Sequence, residues 1–313
     1  MTPRNVPAFP SVRSSRAVNN ASGYKQIHYQ SNDGLMLFAR DYEVAPSKLA
    51  PLLCLPGLTR NSRDFETIAP WLAQTRRVIT ADFRGRGLSQ YAGDPTTYRP
   101  DMELADMISL LNFLKIERAA IIGTSRGGIV GMLMAAFSPD RLAGLFLNDV
   151  GPVFDIAGLL RIRSYLGVRS RFETWDAAIK SLKAINSGFE TLAEREWQAF
   201  AERLFKRVDG LPQADYDPAL ALTFPSVEDI AAARVANLWE IFASTEGLPV
   251  SVVRGQHSDL LSPGTVEAMK QKNAGLDASV IPDRGHAPFL DEAPAKEAIM
   301  RWLRRVDARE KGR

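Results

Sequence analysis

The segment Ala119-Ala120-Ile121-Ile122-Gly123-Thr124-Ser125-Arg126-Gly127-Gly128 constrains this chain more than any other. Its apolar first half reads as a buried strand, and Gly127–Phe137 follows at once with a helical pattern. Between them, Gly123, Ser125 and Gly127 give a Gly-x-Ser-x-Gly spacing. A turn that lifts a serine hydroxyl above a sheet has to be sharp. Glycines flank it because a Cβ there would collide with neighbouring backbone.

Around that segment, strand and helix patterns alternate. Tyr24–Tyr29 and Leu35–Tyr42 read as two strands joined at Ser31-Asn32-Asp33-Gly34. Leu52–Leu55 is a short apolar strand ending in Pro56-Gly57, Phe65–Ala73 is predicted helical, and Val78–Ala81 is a strand. Met102–Leu114 carries apolar residues at helical spacing behind Pro100, and Leu142–Leu147 is a further strand. The alternation resumes at Val250–Val253, a helix near Pro263–Lys272, a strand at Ala278–Ile281 and a helix at Ala293–Val306. Such alternation predicts an α/β fold: a mostly parallel sheet, helices on both faces and an antiparallel edge. Residues 152–238 show helical patterns without a convincing strand and are predicted to form an inserted helical cap. The core is then 24–151 and 239–308, behind a disordered, Pro- and Ser-rich tail over 1–23.

Composition narrows the partners. Hydrophobic content of 45%, charged content of 24% and a net charge of +3 are ordinary for a globular chain. The basic excess at the two ends reads as solvated, and no nucleic-acid motif is found. No segment approaches the roughly 20 apolar residues of a membrane span. Cys54 is the single cysteine, so an intramolecular disulfide is excluded. With no apolar stretch of signal-peptide length at the start, a cytoplasmic location is expected.

A serine hydroxyl is a poor nucleophile at neutral pH and needs a base beside it. Of the three histidines, His28 sits in an edge strand and His257 in the turn after a late strand. His286, in Asp283-Arg284-Gly285-His286-Ala287-Pro288, follows the last strand and returns to the sheet's carboxyl edge, where open parallel sheets bind ligands. It is the expected base. An acid is expected between serine and histidine in the chain. Asp259, after Val250–Val253, is the first choice; Asp149, after Leu142–Leu147, is its rival at the same edge. Its work would be to hold the imidazole's tautomer and stabilise the imidazolium. The oxyanion needs two backbone donors. Arg126 supplies one at a helix start. Pro56 has no N–H, so Leu58 is the candidate for the second.

With these motifs in place, the chain resembles the α/β-hydrolase superfamily from about Tyr24 to Val306. Leu55-Pro56-Gly57-Leu58 is similar to its oxyanion turn, with Pro56 where a histidine often stands. Asp82-Phe83-Arg84-Gly85-Arg86-Gly87-Leu88-Ser89 is similar to a turn that is structural in that superfamily. Gly285-His286-Ala287-Pro288 looks like its histidine loop. The family's usual acid stands three residues after a glycine; Ser258 holds that place and Asp259 follows. Relatives that open epoxides or remove halide use aspartate at the elbow, so Ser125 argues against both. The resemblance implies a serine hydrolase that needs no metal or organic cofactor.

The expected activity is cleavage of a small-molecule ester or lactone through an acyl-enzyme. The alternative is a carbon–carbon hydrolase acting on an anionic ring-fission product, and a third reading is a non-catalytic binding protein of the same fold. Arg161, Arg163, Arg169 and Arg171 crowd the cap. They read first as a solvated helix face; an arginine turned into the pocket would mark an anionic substrate.

Overall fold

A computed structural model describes residues 23–43, 47–168 and 171–312. The expected tail, Gly23 apart, lies outside the described residues, as does Arg169.

The chain opens with strands β1 (Lys25–Gln30) and β2 (Met36–Tyr42), an antiparallel hairpin. Its turn closes where Leu35 N–H donates to the Ser31 hydroxyl at 2.8 Å. Then follow β3 (Leu52–Leu55), α1 (Ala69–Leu72), β4 (Val78–Ala81), α2 (Pro100–Phe113), β5 (Ala119–Thr124), α3 (Arg126–Phe137) and β6 (Leu142–Asn148). One eight-stranded sheet runs β1-β2-β4-β3-β5-β6-β9-β10, where β9 is Val250–Gly255 and β10 is Asp277–Ile281. From β4 to β10 every pairing is parallel. The fold is the α/β-hydrolase fold.

Alternate residues of each inner strand feed opposite cores. Leu53 and Leu55 of β3 join Ile121, Leu145 and Leu147 on one face, under Met107 of α2 and Met132 of α3. Leu52 and Cys54 join Ile122 and Phe146 on the other, under Trp302 and Val306 of the last helix. Burial on both faces is why these strands read as unbroken apolar runs. It also pushes the Cys54 thiol far up, leaving a packing residue with no reactive thiolate.

Between β6 and β9 the chain leaves the sheet for α4 (Ile156–Tyr165), α5 (Trp175–Ile185) and α6 (Glu194–Leu204), then β7 (Phe205–Val208), β8 (Leu211–Ala214), α7 (Val227–Ala231) and α8 (Trp239–Ala243). Its own apolar cluster, with Leu182, Phe189, Trp197, Phe200 and Tyr216, packs against Leu58 and Phe289 from loops at the carboxyl edge. Helices α9 (Pro263–Lys272) and α10 (Ala293–Lys311) complete the fold, α10 running past the expected Val306.

Two expectations are corrected. The insertion is not purely helical, because β7 and β8 form an antiparallel hairpin. Asp209 and Gly210 at its tip have φ of 50° and 82°, the paired left-handed turn that an Asp-Gly dipeptide favours. Nor is Phe65–Ala73 one helix: a 3-10 turn over Ser62–Phe65 precedes the single turn of α1. Pro70 explains the break, since its ring has no N–H and clashes with the carbonyl a turn earlier.

Candidate active site

Ser125 sits between β5 and α3 with φ 50° and ψ −111°, a conformation that L-residues avoid. Such backbone costs about 1–3 kcal/mol and persists only where its surroundings enforce it. Here the packing does so. A Cβ on Gly123 would lie 2.5 Å from the Gly127 backbone, and one on Gly127 would lie 2.2 Å from the Leu55 carbonyl oxygen. Two backbone bonds pin the turn: Ser125 N–H to Asn148 O at 3.0 Å, and Gly127 N–H to Pro56 O at 3.0 Å.

The β10–α10 loop brings His286 to this serine, Nε2 to Oγ at 3.0 Å. That loop is tied to the sheet through Asn148, whose side-chain amide donates to Pro288 O at 2.9 Å. On the other side of the ring, His286 Nδ1 lies 2.8 Å from Asp149 Oδ2. The Asp149 side chain is fully buried, and its backbone, like that of Ser125, takes a positive φ, 55°. Asp149 Oδ1 accepts from Gly255 N–H at 2.8 Å and Oδ2 from the Ser258 hydroxyl at 2.6 Å. These partners come from the end of β9 and the loop after it.

The carboxylate against the imidazole is therefore Asp149 and not Asp259, which corrects the first choice made from the sequence. Asp259 turns instead to Arg161 of α4 in a two-pronged pair, Nε to Oδ2 at 2.5 Å and Nη2 to Oδ1 at 2.8 Å. Burial pushes the Asp259 carboxyl up, but the Arg161 bonds and charge outweigh it and hold the group below its usual range. Ser258, standing where the superfamily's acid usually stands, has become a donor to an acid that arrives from β6.

Among the described residues, neither the Leu58 nor the Arg126 backbone N–H has an acceptor. The Leu58 carbonyl is held back by Arg86 Nε at 2.8 Å. Arg86 in turn meets Glu103 at 2.8 Å, and Glu103 reaches the Arg126 guanidinium at 3.5 Å, with the Arg86 and Glu103 side chains wholly buried. Burial pushes the Arg86 guanidinium down, and the Glu103 charge works against that. Glu103 thus links the supports of both candidate donors. Sequence reasoning passed it over, although Glu103 and Asp106 among the apolar residues of that helix face were a visible signal.

A cavity of about 150 Å³ opens above Ser125 and His286. Tyr165, Leu182, Phe200 and Phe289 give it apolar walls, and Arg60, Arg161 and Arg203 reach it as cations. Of the described arginines singled out from the cap sequence, Arg161 alone lines it, already paired. Arg163 donates to Ala221 O at 2.9 Å, and Arg171 meets Asp209 at the surface. Arg203 was missed, though it lies one turn beyond buried Phe200 on the inward face of α6. His28 lies on the exposed edge strand against Phe38, and His257 N–H bonds Arg284 O in a loop. Among the described residues no group of three His, Cys, Asp or Glu side chains is placed to hold a metal ion. No described helix is long and apolar enough to cross a membrane.

A serine on a strand-to-helix turn, over the carboxyl edge of a mostly parallel sheet, belongs to the α/β-hydrolase class of architecture. Comparison with known proteins agrees: the Alpha/beta hydrolase family model matches residues 52–298, and the chain belongs to that family. A 3-hydroxybutyrate-oligomer hydrolase from Cupriavidus necator is 37% identical over 260 residues, spanning 81% of this chain and 88% of that protein. An α/β-hydrolase of known structure from Novosphingobium aromaticivorans superposes with a TM-score of 0.84 at 40% identity, over 91% of this chain and all of the other. A protein of known structure from Rickettsia typhi gives 0.76 at 26% identity, over 90% and 98%.

Proposed function

We propose that this protein is a serine ester hydrolase, with Ser125 as nucleophile, His286 as general base and acid, and Asp149 as the carboxylate that orients the imidazole. The observation that carries the reading is the chain of contacts Ser125 Oγ–His286 Nε2–Asp149 Oδ2, at 3.0 and 2.8 Å. With Nδ1–H donated to Asp149, Nε2 is left unprotonated and free to take the serine proton. Oγ attacks the ester carbonyl, and the N–H groups of Leu58 and Arg126 receive the charge that develops on its oxygen. His286 hands the proton to the leaving alcohol, and the acyl group stays on Ser125. A water then gives a proton to His286 and its oxygen to the acyl carbon. The acid leaves and the serine regains its hydrogen.

The walls of the cavity and the relative of similar length support one substrate class. A small cavity with apolar sides suits short acyl groups, and the Cupriavidus enzyme is named for hydrolysis of 3-hydroxybutyrate oligomers. We take linear esters of short 3-hydroxy acids as the preferred substrates, ahead of lactones and of the carbon–carbon bonds of ring-fission products. The test is rapid mixing with p-nitrophenyl butyrate, followed by steady-state assay of the 3-hydroxybutyrate dimer and trimer. A burst of nitrophenolate and release of monomer are expected. Turnover of a vinylogous diketone acid, with neither oligomer cleaved, would overturn the ester reading.

A further inference from the structure

Charges around the cavity do not cancel. Arg60 grips Asp64 through both carboxylate oxygens, at 2.8 and 2.6 Å, and Arg161 grips Asp259. Arg203 lines the same space, yet among the described residues its guanidinium has no carboxylate within 4.0 Å and donates no hydrogen bond. Its backbone is well held: the Arg203 carbonyl accepts from Asn61 Nδ2 at 3.3 Å and from Arg63 Nε at 3.0 Å, both on the loop after β3. Its side chain lies over the Phe289 ring, with the guanidinium carbon 5.1 Å from the centroid. An aromatic face of that kind holds a guanidinium in place and leaves its in-plane N–H fork free. Phe289 is three residues beyond His286, on the loop whose imidazole would protonate the leaving alcohol.

A cation drawn part-way out of water without a partner is costly, and the same burial pushes the Arg203 guanidinium down from its ordinary value. The cost is recovered if the missing partner arrives with the substrate. We infer that Arg203 receives a carboxylate carried on the alcohol portion of the ester, so that the enzyme cuts the ester next to the free carboxyl end of a hydroxy-acid chain. The inference rests on the ester-hydrolase reading above and adds a specificity-determining residue and a direction of attack. The other cavity arginines are poor candidates for this work, because each would first have to give up a two-pronged internal carboxylate.

The experiment compares the linear dimer of 3-hydroxybutyric acid with its methyl ester, in which a methyl group caps the carboxylate and removes its charge, and follows cleavage of the internal ester alone. The readout is the ratio of the two kcat/KM values in wild type, Arg203→Gln and Arg203→Lys. Wild type is expected to favour the free acid. The glutamine variant should lower the ratio roughly 10- to 100-fold, mainly through KM for the acid, as loss of a charged hydrogen-bonding partner does. The lysine variant should recover part of the preference, since it restores charge without the planar fork. A ratio unchanged in Arg203→Gln, with the methyl ester still turned over by wild type, would overturn the role of Arg203 and leave the ester reading standing. No turnover of either dimer by a wild-type enzyme would count against the ester reading itself.

Discussion

Asp149→Asn is the substitution that separates the structural assignment of the acid from the one the sequence favours. Asp149 accepts three hydrogen bonds, from Gly255 N–H at 2.8 Å, the Ser258 hydroxyl at 2.6 Å and His286 Nδ1 at 2.8 Å. An asparagine keeps one acceptor oxygen, and the Gly255 N–H claims it. The amide nitrogen is then turned toward His286 and Ser258. Faced with a donor, the ring places its own proton on Nε2, where it points at Ser125 and blocks proton abstraction. Loss of the correct tautomer costs about 10⁴-fold in kcat, or about 5.5 kcal/mol of transition-state stabilisation. Asp259→Asn breaks only a part-buried pair with Arg161 and leaves the contact between Asp149 and His286 in place, so less than about tenfold is expected. The assay is steady-state hydrolysis of a p-nitrophenyl ester by both variants, with circular dichroism confirming that each is folded. If Asp149→Asn stayed within about tenfold of wild type while Asp259→Asn collapsed, the tautomer argument would be wrong.

A second-site change offers a rescue: Ser258→Asp in the Asp149→Asn background puts a carboxylate at the superfamily's usual position, and kcat should rise by about tenfold or more over the single variant. The Arg161–Asp259 pair should show a pH signature in urea denaturation. Because the folded-state pKa of Asp259 is depressed, its contribution is present above the unfolded value, about 3.9, and is lost as pH falls through the folded one. The stability gap between wild type and Asp259→Asn should be about 1 kcal/mol at pH 7 and should close in acid; a gap that widened on acidification would contradict this. Gly127→Ala, which forces a Cβ to within 2.2 Å of the Leu55 carbonyl oxygen, should destabilise the fold by at least about 3 kcal/mol in thermal melts. Glu103→Gln should lower kcat more than it raises KM, because Glu103 supports both candidate oxyanion donors and touches neither substrate nor Ser125.

What could be read in the sequence depended on how local its cause was. The inner strands were legible because burial on both faces leaves little room for polar residues, as in Leu52–Leu55 and Leu142–Leu147. The elbow was legible because Gly123, Ser125 and Gly127 stand at a fixed spacing within five residues, even though the crowding at Gly127 comes from the Leu55 carbonyl of a neighbouring strand. The hairpin at Asp209-Gly210 had a local signal too, but its strands are four residues each and one holds Pro212, which masks the alternation. The acid was not legible in the same way. Asp149 and Asp259 both stand at the carboxyl edge, and what decides between them is a contact 98 residues away, between Asp259 and Arg161. The serine at position 258 was the one hint, since it left the usual acid position vacant. Arg203 needed the inward face of α6 to be known, and the arginine-rich stretch around Arg161 drew notice elsewhere.

The most direct test of the account is covalent capture of Ser125. Wild type and Ser125→Ala, each verified as folded, are treated with a small alkyl fluorophosphonate, and the intact masses and peptide maps are compared. One adduct per chain, mapped to Ser125, absent from Ser125→Ala and strongly slowed in Asp149→Asn, is the predicted result. An adduct on another residue, or wild-type labelling no faster than that of Ser125→Ala, would contradict the claim that the strained serine beside His286 is an activated nucleophile.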